Sequence, residues 1–373
     1  MKTYIFFLFL SFSFFCSSPT TKKVSLNVEK IKIPAKSKQI TFPKEQLEAL
    51  YAWLKTDEEN FEFTRVKEFP QESERKVYEI FITDDEKYAI IVTRFKLVKI
   101  SLETFQEVKI LDHRRIVEGG FTGIGFSENG DLILAGSSWQ TKASLYDWSG
   151  KVLADYPCGE KGSYVEDVYL SKTSQKVILS CLQFGAEKKE ILSFDVKGNL
   201  EWKRVTNHTY VELIPKLKKL ISYEGQEVTI WSELGKQEID LKLGLEIVSM
   251  SFASYQNLFL FGNTKEWNIL KVGKFQVEPL LKINTDVDLF TGENYILNAE
   301  YKSFYKITHS GKYIFTGGIK GAYLWTVDGK LIKKFTGHKR NVSAVNFSNS
   351  EKFLITASPD RYIVWQRVPF SLN

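Results

Sequence analysis

Close to its C-terminal end the chain reads TASPDRYIVWQ, Thr356 to Gln366, with His338 a short way upstream. A Ser, a His and an Asp in one neighbourhood are the residue types of nucleophilic catalysis. There a histidine takes the hydroxyl proton, a carboxylate orients the ring and an oxyanion donor receives the developing charge. Ser358, His338 and Asp360 supply those types, and Thr356 offers a second hydroxyl. No nucleophile elbow accompanies them, so the sequence favours a structural role for the set and no enzymatic activity. The other histidines, His113, His208 and His309, stand isolated, without an H-E-x-x-H or a paired C-x-x-C spacing. No metal centre and no cofactor are therefore expected. The acidic run Asp84-Asp85-Glu86 lacks the alternating ligand spacing of a calcium loop and reads as a solvated hairpin turn.

The elements that must position these residues repeat. Seven stretches share an apolar residue, a small or turn-prone marker, a polar turn and then an apolar strand, as in GFSENGDLILAG and NFSNSEKFLITA. Their markers are Thr83, Ser127, Ser171, Pro215, Ala253, Thr308 and Ser348, at intervals of 44, 44, 44, 38, 55 and 40 residues. A second pattern follows each marker: a bulky residue and, four positions on, a turn-former. Tyr146 with Gly150, Phe194 with Gly198, Trp231 with Gly235, Ile269 with Gly273 and Trp325 with Gly329 are the clear copies. Ile100 with Thr104 and Trp365 with Pro369 are the weak ones. Runs rich in β-formers and bounded by Gly, Asn, Asp and Ser spell strand–turn–strand. A unit of this length cannot bury both faces of its own sheet, whereas seven sheets stacked around an axis bury one another.

The segment FTGHKRNVSAVNFSNSEKFLITASPDRYIVWQ resembles a WD-repeat, through Gly337-His338, Val342, Val345, Phe347-Ser348, Leu354, Ser358, Asp360 and Trp365. The resemblance is specific over about Tyr305 to Gln366 and survives upstream only as the period. It implies an all-β, seven-bladed β-propeller over residues 61–373. It also implies that His338, Ser358 (or Thr356), Asp360 and Trp365 form a hydrogen-bonded brace inside a blade. One departure is visible: the spacing from Asp360 to Trp365 is one residue shorter than the family's. ILSFDVKGNLEWKRV, Ile191 to Val205, is similar to the repeat of quinoprotein-like propellers, with Gly198 and Trp202 in place. That likeness implies an assembly factor for outer-membrane proteins or a quinone-dependent dehydrogenase, for which the chain is short; the alternative from another class is an envelope hydrolase or oxidoreductase with its site in the central funnel.

The chain has 373 residues, 43% of them hydrophobic, and a net charge of +6 from dispersed Lys and Arg. It lacks the dense basic stripe of a nucleic-acid binder. At the N-terminus an apolar run from Ile5 to Phe15 is too short to span a bilayer and suits a secretory signal. Cys16 and the SSPTT that follows resemble the lipobox of bacterial lipoproteins, which implies cleavage before Cys16 and lipidation of its thiol. Residues 1–15 are thus expected as signal, residues 16–60 as a tether with one short helix at Lys44 to Lys55, and the mature protein as membrane-anchored in the cell envelope. Cys158 and Cys181 would meet an oxidising compartment. A disulfide is open to them, although Cys181, inside KVILSCLQF, reads as a core thiol.

On a propeller, the linkers between blades and the mid-blade turns share one face. It would carry Arg94, Arg114, Arg115, Lys339, Arg340 and Arg361, with Lys96 and Lys142. Such a face suits protein partners, acidic ones in particular. Trp365 marks the third strand of the last repeat and little chain follows it, so a fourth strand must come from elsewhere. Phe61 to Phe69 is the expected donor, with Val24 to Ile33 as second choice.

Overall fold

The structure is a computed structural model. It describes residues 63–70, 77–93, 96–112, 122–159, 162–171, 173, 175–183, 189–214, 218–242, 247, 249–253, 258–262, 266–272, 277–284, 305–318, 321–327 and 331–367. The helix expected at Lys44 to Lys55 and the segment Val24 to Ile33 lie outside these residues, as does Cys16.

Every element among the described residues is a strand. β1 is Phe63–Pro70. The first blade is β2 (Val77–Ile82), β3 (Tyr88–Thr93), β4 (Lys96–Ser101) and β5 (Gln106–Asp112). The second is β6 (Gly123–Phe126), β7 (Ile133–Gly136), β8 (Lys142–Tyr146) and β9 (Val152–Pro157). The third is β10 (Ser163–Leu170), β11 (Lys176–Gln183), β12 (Lys189–Asp195) and β13 (Leu200–Thr206). The fourth is β14 (Tyr210–Ile214), β15 (Lys219–Glu224), β16 (Glu227–Ser232) and β17 (Gln237–Lys242). The fifth is β18 (Ser249–Ala253), β19 (Leu258–Gly262), β20 (Glu266–Val272) and β21 (Val277–Asn284). The sixth is β22 (Tyr305–Ile307), β23 (Tyr313–Thr316), β24 (Gly321–Thr326) and β25 (Leu331–Thr336). The last blade joins β26 (Ala344–Phe347), β27 (Phe353–Ser358) and β28 (Arg361–Arg367) to β1.

Each blade is a four-stranded antiparallel sheet, and there are seven of them among the described residues. Burial grades across the sheets whose side chains are described. β3, β4 and β27 are almost wholly buried, while the outer strand β5 is exposed along most of its length. Middle strands are covered on both faces by neighbouring blades, which is why they read as continuous apolar runs such as AIIV and not as alternations. The cores lie between blades: Ile221 and Ile230 of the fourth pack with Met250 and Phe261 of the fifth, and Phe315 and Phe335 of the sixth with Val345 and Trp365 of the last.

The markers act through their hydroxyls. Thr83, Ser127, Ser171, Thr308 and Ser348 each accept the backbone N–H five residues on, at the mouth of the second strand. Three residues after a marker the backbone turns left-handed, at Gly130 and Gly311 but also at Glu86, Lys218 and Glu351. A non-glycine residue there carries a steric cost of about 1–2 kcal/mol. Two of the three carry a compensating contact. The Glu86 carboxylate accepts from Ser350 N and Oγ, and Glu351 accepts from Ser310 N at 3.2 Å, each reaching the turn of the neighbouring blade.

The second pattern marks the hairpin into the outer strand. Pairing slips by one residue at Tyr146, Phe194, Trp231 and Trp325, and Gly150, Gly198 and Gly235 supply the positive φ of the turn. The weak first copy differs for a visible reason. There Ile100 pairs with Glu107, one residue further than Tyr146 with Val152, and Phe105 takes the left-handed position.

β1 closes the ring. It runs antiparallel to β28 from Phe63 opposite Arg367 to Pro70 opposite Arg361. Phe63 packs edge-on against Phe315 and Phe335, Phe69 stacks on Tyr362 at 4.8 Å, and the Arg65 guanidinium lies 5.5 Å from the Trp365 ring. The strand expected from Phe61 to Phe69 is thus found, among the described residues, as Phe63–Pro70 on the outer edge of the last blade.

One expectation is corrected. Cys181 is not a free core thiol but is disulfide-bonded to Cys158, across the junction of the second and third blades. Cys158 follows β9, and its N–H donates to Thr141 O at 2.8 Å, which brings it over β11. The apolar run around Cys181 concealed the bond because a half-cystine inside a strand is as buried as a core residue.

Candidate functional site

In the last blade His338 precedes the inner strand, Thr356 and Ser358 sit on β27, Asp360 lies in the two-residue turn that follows, and Trp365 sits on β28. The Trp365 indole Nε1–H donates to Thr356 Oγ1 at 3.0 Å. His338 Nε2 lies 2.8 Å from Thr356 Oγ1, its Nδ1 lies 2.8 Å from Ser358 Oγ, and Ser358 Oγ lies 2.6 Å from Asp360 Oδ1. An ionised carboxylate only accepts, so the Ser358 proton goes to Asp360. His338 then donates from Nδ1 to Ser358 and accepts the Thr356 proton at Nε2. Donation runs unbroken from indole to hydroxyl to imidazole, and from imidazole to hydroxyl to carboxylate.

The charges agree with that order. Burial pushes the His338 ring down to about 4, opposed by nearby Asp360, so it is neutral near pH 7. Burial alone would raise Asp360, but hydrogen bonds from Ser358 and Arg361 and from the backbone N–H groups of Lys339 and Arg340 bring it to about 2. A catalytic triad needs the imidazole between hydroxyl and carboxylate; here the hydroxyl stands between, and Ser358 is fully buried. The set ties β27, β28, the turn between them and the loop before β26 together. The shortened spacing leaves a turn of only Pro359 and Asp360, with Ser358 paired to Arg361, and the hydrogen bonds form nonetheless.

Two further blades carry the same construction. Trp325 Nε1–H donates to Thr316 Oγ1 at 3.0 Å, and Trp231 Nε1–H to Ser222 Oγ at 2.8 Å. In each, as in the last blade, the hydroxyl stands nine residues before the indole. His208, read from sequence as isolated, holds Ser222 Oγ through Nδ1 at 2.8 Å and is buried. It precedes β14 as His338 precedes β26. The nine-residue hydroxyl-to-Trp interval was the signal that would have found it.

The strand order places the blade linkers and the turns between second and third strands on one end of the ring (the loop face). The remaining hairpins lie on the other. On the loop face Lys339 and Arg340 are exposed, with their backbones pinned by Asp360. Arg361 departs from expectation. Its guanidinium binds Glu68 of β1 and Asp360 and is mostly covered, so its charge is spent within the blade. Glu68 is far away in sequence and arrives only because β1 closes the ring. Lys142 pairs with Asp155 at 2.6 Å, whereas Lys96 is exposed. Arg94, Arg114 and Arg115 lie outside the described residues.

A residue that sequence reasoning passed over dominates this face. Trp139, in the turn between β7 and β8, is 79% exposed. Its N–H is held by Ser137 Oγ at 3.1 Å, and the next residue binds Ser137 O through its N–H and Val165 N–H through its carbonyl. One residue further, Thr141 O accepts from half-cystine Cys158. The turn is fixed on both sides while the indole faces outward.

The family model described as WD domain, G-beta repeat, matches residues 329–365. The chain is 43% identical over 63 residues to Protein ROOT INITIATION DEFECTIVE 3 of Arabidopsis thaliana, a match covering 16% of this chain and 14% of that protein. The crystal structure of the Cps50 (Swd1) β-propeller domain of Myceliophteria thermophila superposes with a TM-score of 0.62 at 12% identity, covering 82% of this chain and 100% of that one. Together these give a WD-repeat-like propeller.

Proposed function

We propose that this WD-repeat-like propeller is a non-enzymatic scaffold of a cell envelope, anchored by lipid on Cys16 and binding a protein partner through its loop face. Residues 1–15 serve as the signal, 16–60 as the tether and 61–373 as the propeller. The observation that carries the reading is Trp139: an indole held out on a rigid turn loses little entropy on binding and can bury a large area, as interface hot spots do. Lys339, Arg340 and Lys96 share its face and favour a partner with acidic groups.

Export is supported by the Cys158–Cys181 bond, since such bonds persist in oxidising compartments. The chain enters the ring at Phe63 on the end opposite the loop face, because Phe63 pairs with Arg367 and Pro70 with Arg361. A membrane anchor upstream would leave Trp139 turned away from the bilayer. Affinity capture from envelope fractions with the mature chain and its Trp139→Ala variant tests the scaffold. A partner recovered by the first and lost by the second is expected. No partner, together with turnover of a small molecule, overturns it in favour of a funnel enzyme. Labelling with a palmitate analogue is expected for the wild type and not for Cys16→Ala.

A further inference from the structure

The junction of the third and fourth blades carries a cleft of about 460 Å³. His208, Trp231, Asn207, Glu227, Asp240 and Lys242 are among the residues that line it. His208 is 4% exposed, so the cleft meets a buried imidazole. Ser222 Oγ receives the Trp231 N–H, and among the described residues His208 Nδ1, at 2.8 Å, is the acceptor within reach of its proton. The ring must then carry its hydrogen on Nε2. Among the described residues that N–H has no acceptor. This is the reverse of the last blade, where both nitrogens of His338 are engaged by hydroxyls.

One exchange explains the difference. Ser358 stands two residues after Thr356 and closes the second ring nitrogen. Two residues after Ser222 stands Glu224, whose carboxylate is drawn away to Lys189 and to Thr209 Oγ1 at 2.8 Å. A donor whose partner is cleft water exchanges that water for a ligand acceptor, a net gain of about two- to tenfold in affinity, or about 0.5–1.5 kcal/mol. Burial pushes the His208 ring down against the carboxylates of Glu227, Glu224 and Asp240, which keeps it a neutral donor.

The walls narrow the ligand. Asp240 is occupied by Thr229 Oγ1 at 2.6 Å and by Gln237, while Glu227 is exposed and accepts nothing among the described residues. Carboxylates around the ring disfavour an anion; the Nε2 donor and Lys242 disfavour a cation. The cleft also presents apolar surface from Val228, Leu241 and the Trp231 ring. Donor, acceptor and apolar patch within one small volume match a molecule whose hydroxyls both give and take hydrogen bonds and whose C–H face is apolar. We propose that this cleft is a binding site for a neutral saccharide, with one sugar hydroxyl accepting from His208 Nε2–H and another donating to Glu227. The site opens on the loop face as Trp139 does, but at the junction of the third and fourth blades and not in the second.

The test uses the mature chain, isotope-labelled, titrated with glucose, galactose, mannose, N-acetylglucosamine and their disaccharides at millimolar concentrations. The readouts are the His208 ring and Trp231 indole resonances. At least one neutral sugar is expected to shift both. Glu227→Ala should weaken that sugar by about tenfold or more with an unchanged melting midpoint, since its side chain makes no internal bond. Glu227→Gln, which keeps an acceptor, should retain most of the binding. The proposal is overturned if no neutral sugar moves these resonances. It is equally overturned if glucose 6-phosphate or glucosamine binds the cleft more tightly than the neutral parents, or if Glu227→Ala binds as the wild type does.

Discussion

At the scale of single residues, the hydroxyl–imidazole–carboxylate set illustrates how the same side chains serve chemistry or architecture according to order. Ser358 and Thr356 both use the ring of His338, so the choice between them posed by the sequence resolves into two roles. The arrangement has a pH signature. His338 ionises near its ordinary 6.5 in the unfolded chain but only at about 4 in the fold. Between those values the unfolded chain binds more protons, so stability is complete above about 6.5 and falls as pH drops towards 4, by about 3 kcal/mol in all. Urea midpoints followed across that window should fall for the wild type. They should fall less for His338→Gln, which starts lower; His208, shifted in the same direction, leaves a smaller slope. A wild-type midpoint that stays level would contradict a neutral, buried ring.

At the scale of elements, each blade depends on its neighbours for coverage, and the second and third are also joined covalently. Twenty-three residues separate Cys158 from Cys181, and closing a loop of that size in the unfolded chain is worth about 3 kcal/mol. Mild reductant should therefore lower the unfolding midpoint of the wild type and leave the Cys158→Ser, Cys181→Ser double variant where it already is. Equal midpoints for oxidised and reduced wild type would show that the bond adds nothing. The pairing was not legible in the sequence, because two cysteines fix no framework and Cys181 sits in an apolar run. The turns, by contrast, were legible: a marker hydroxyl five residues ahead of a strand has a local partner that needs no tertiary contact. Where Pro215 and Ala253 replace the hydroxyl, the period alone locates the blade, and the sheets form because inter-blade packing supplies the rest.

At the scale of the molecule, ring closure couples the two ends of the chain. Phe63 and Phe69 are buried rings on β1, each worth about 3 to 5 kcal/mol in a core, against a total of about 5–15 kcal/mol for a domain. A chain beginning at residue 61 should fold and unfold cooperatively. One beginning at residue 71 should leave the edge of β28 open and aggregate or melt at ambient temperature. Size-exclusion profiles and thermal scans of the two decide it, and equal stability would remove β1 from the account of closure.

The sequence carries the strand-turn period and the seven units, because turn chemistry and β-propensity act within a few residues. It also named the members of the polar set in the last blade. Tertiary structure alone decided which cysteines meet, that Arg361 spends its charge on Glu68, that His208 belongs to a second such set with one donor left over, and that Trp139 stands exposed. Each depends on groups that meet only through strand pairing or packing: within one blade for His208, between adjacent blades for the cysteines, and between the two ends of the chain for Arg361 and Glu68.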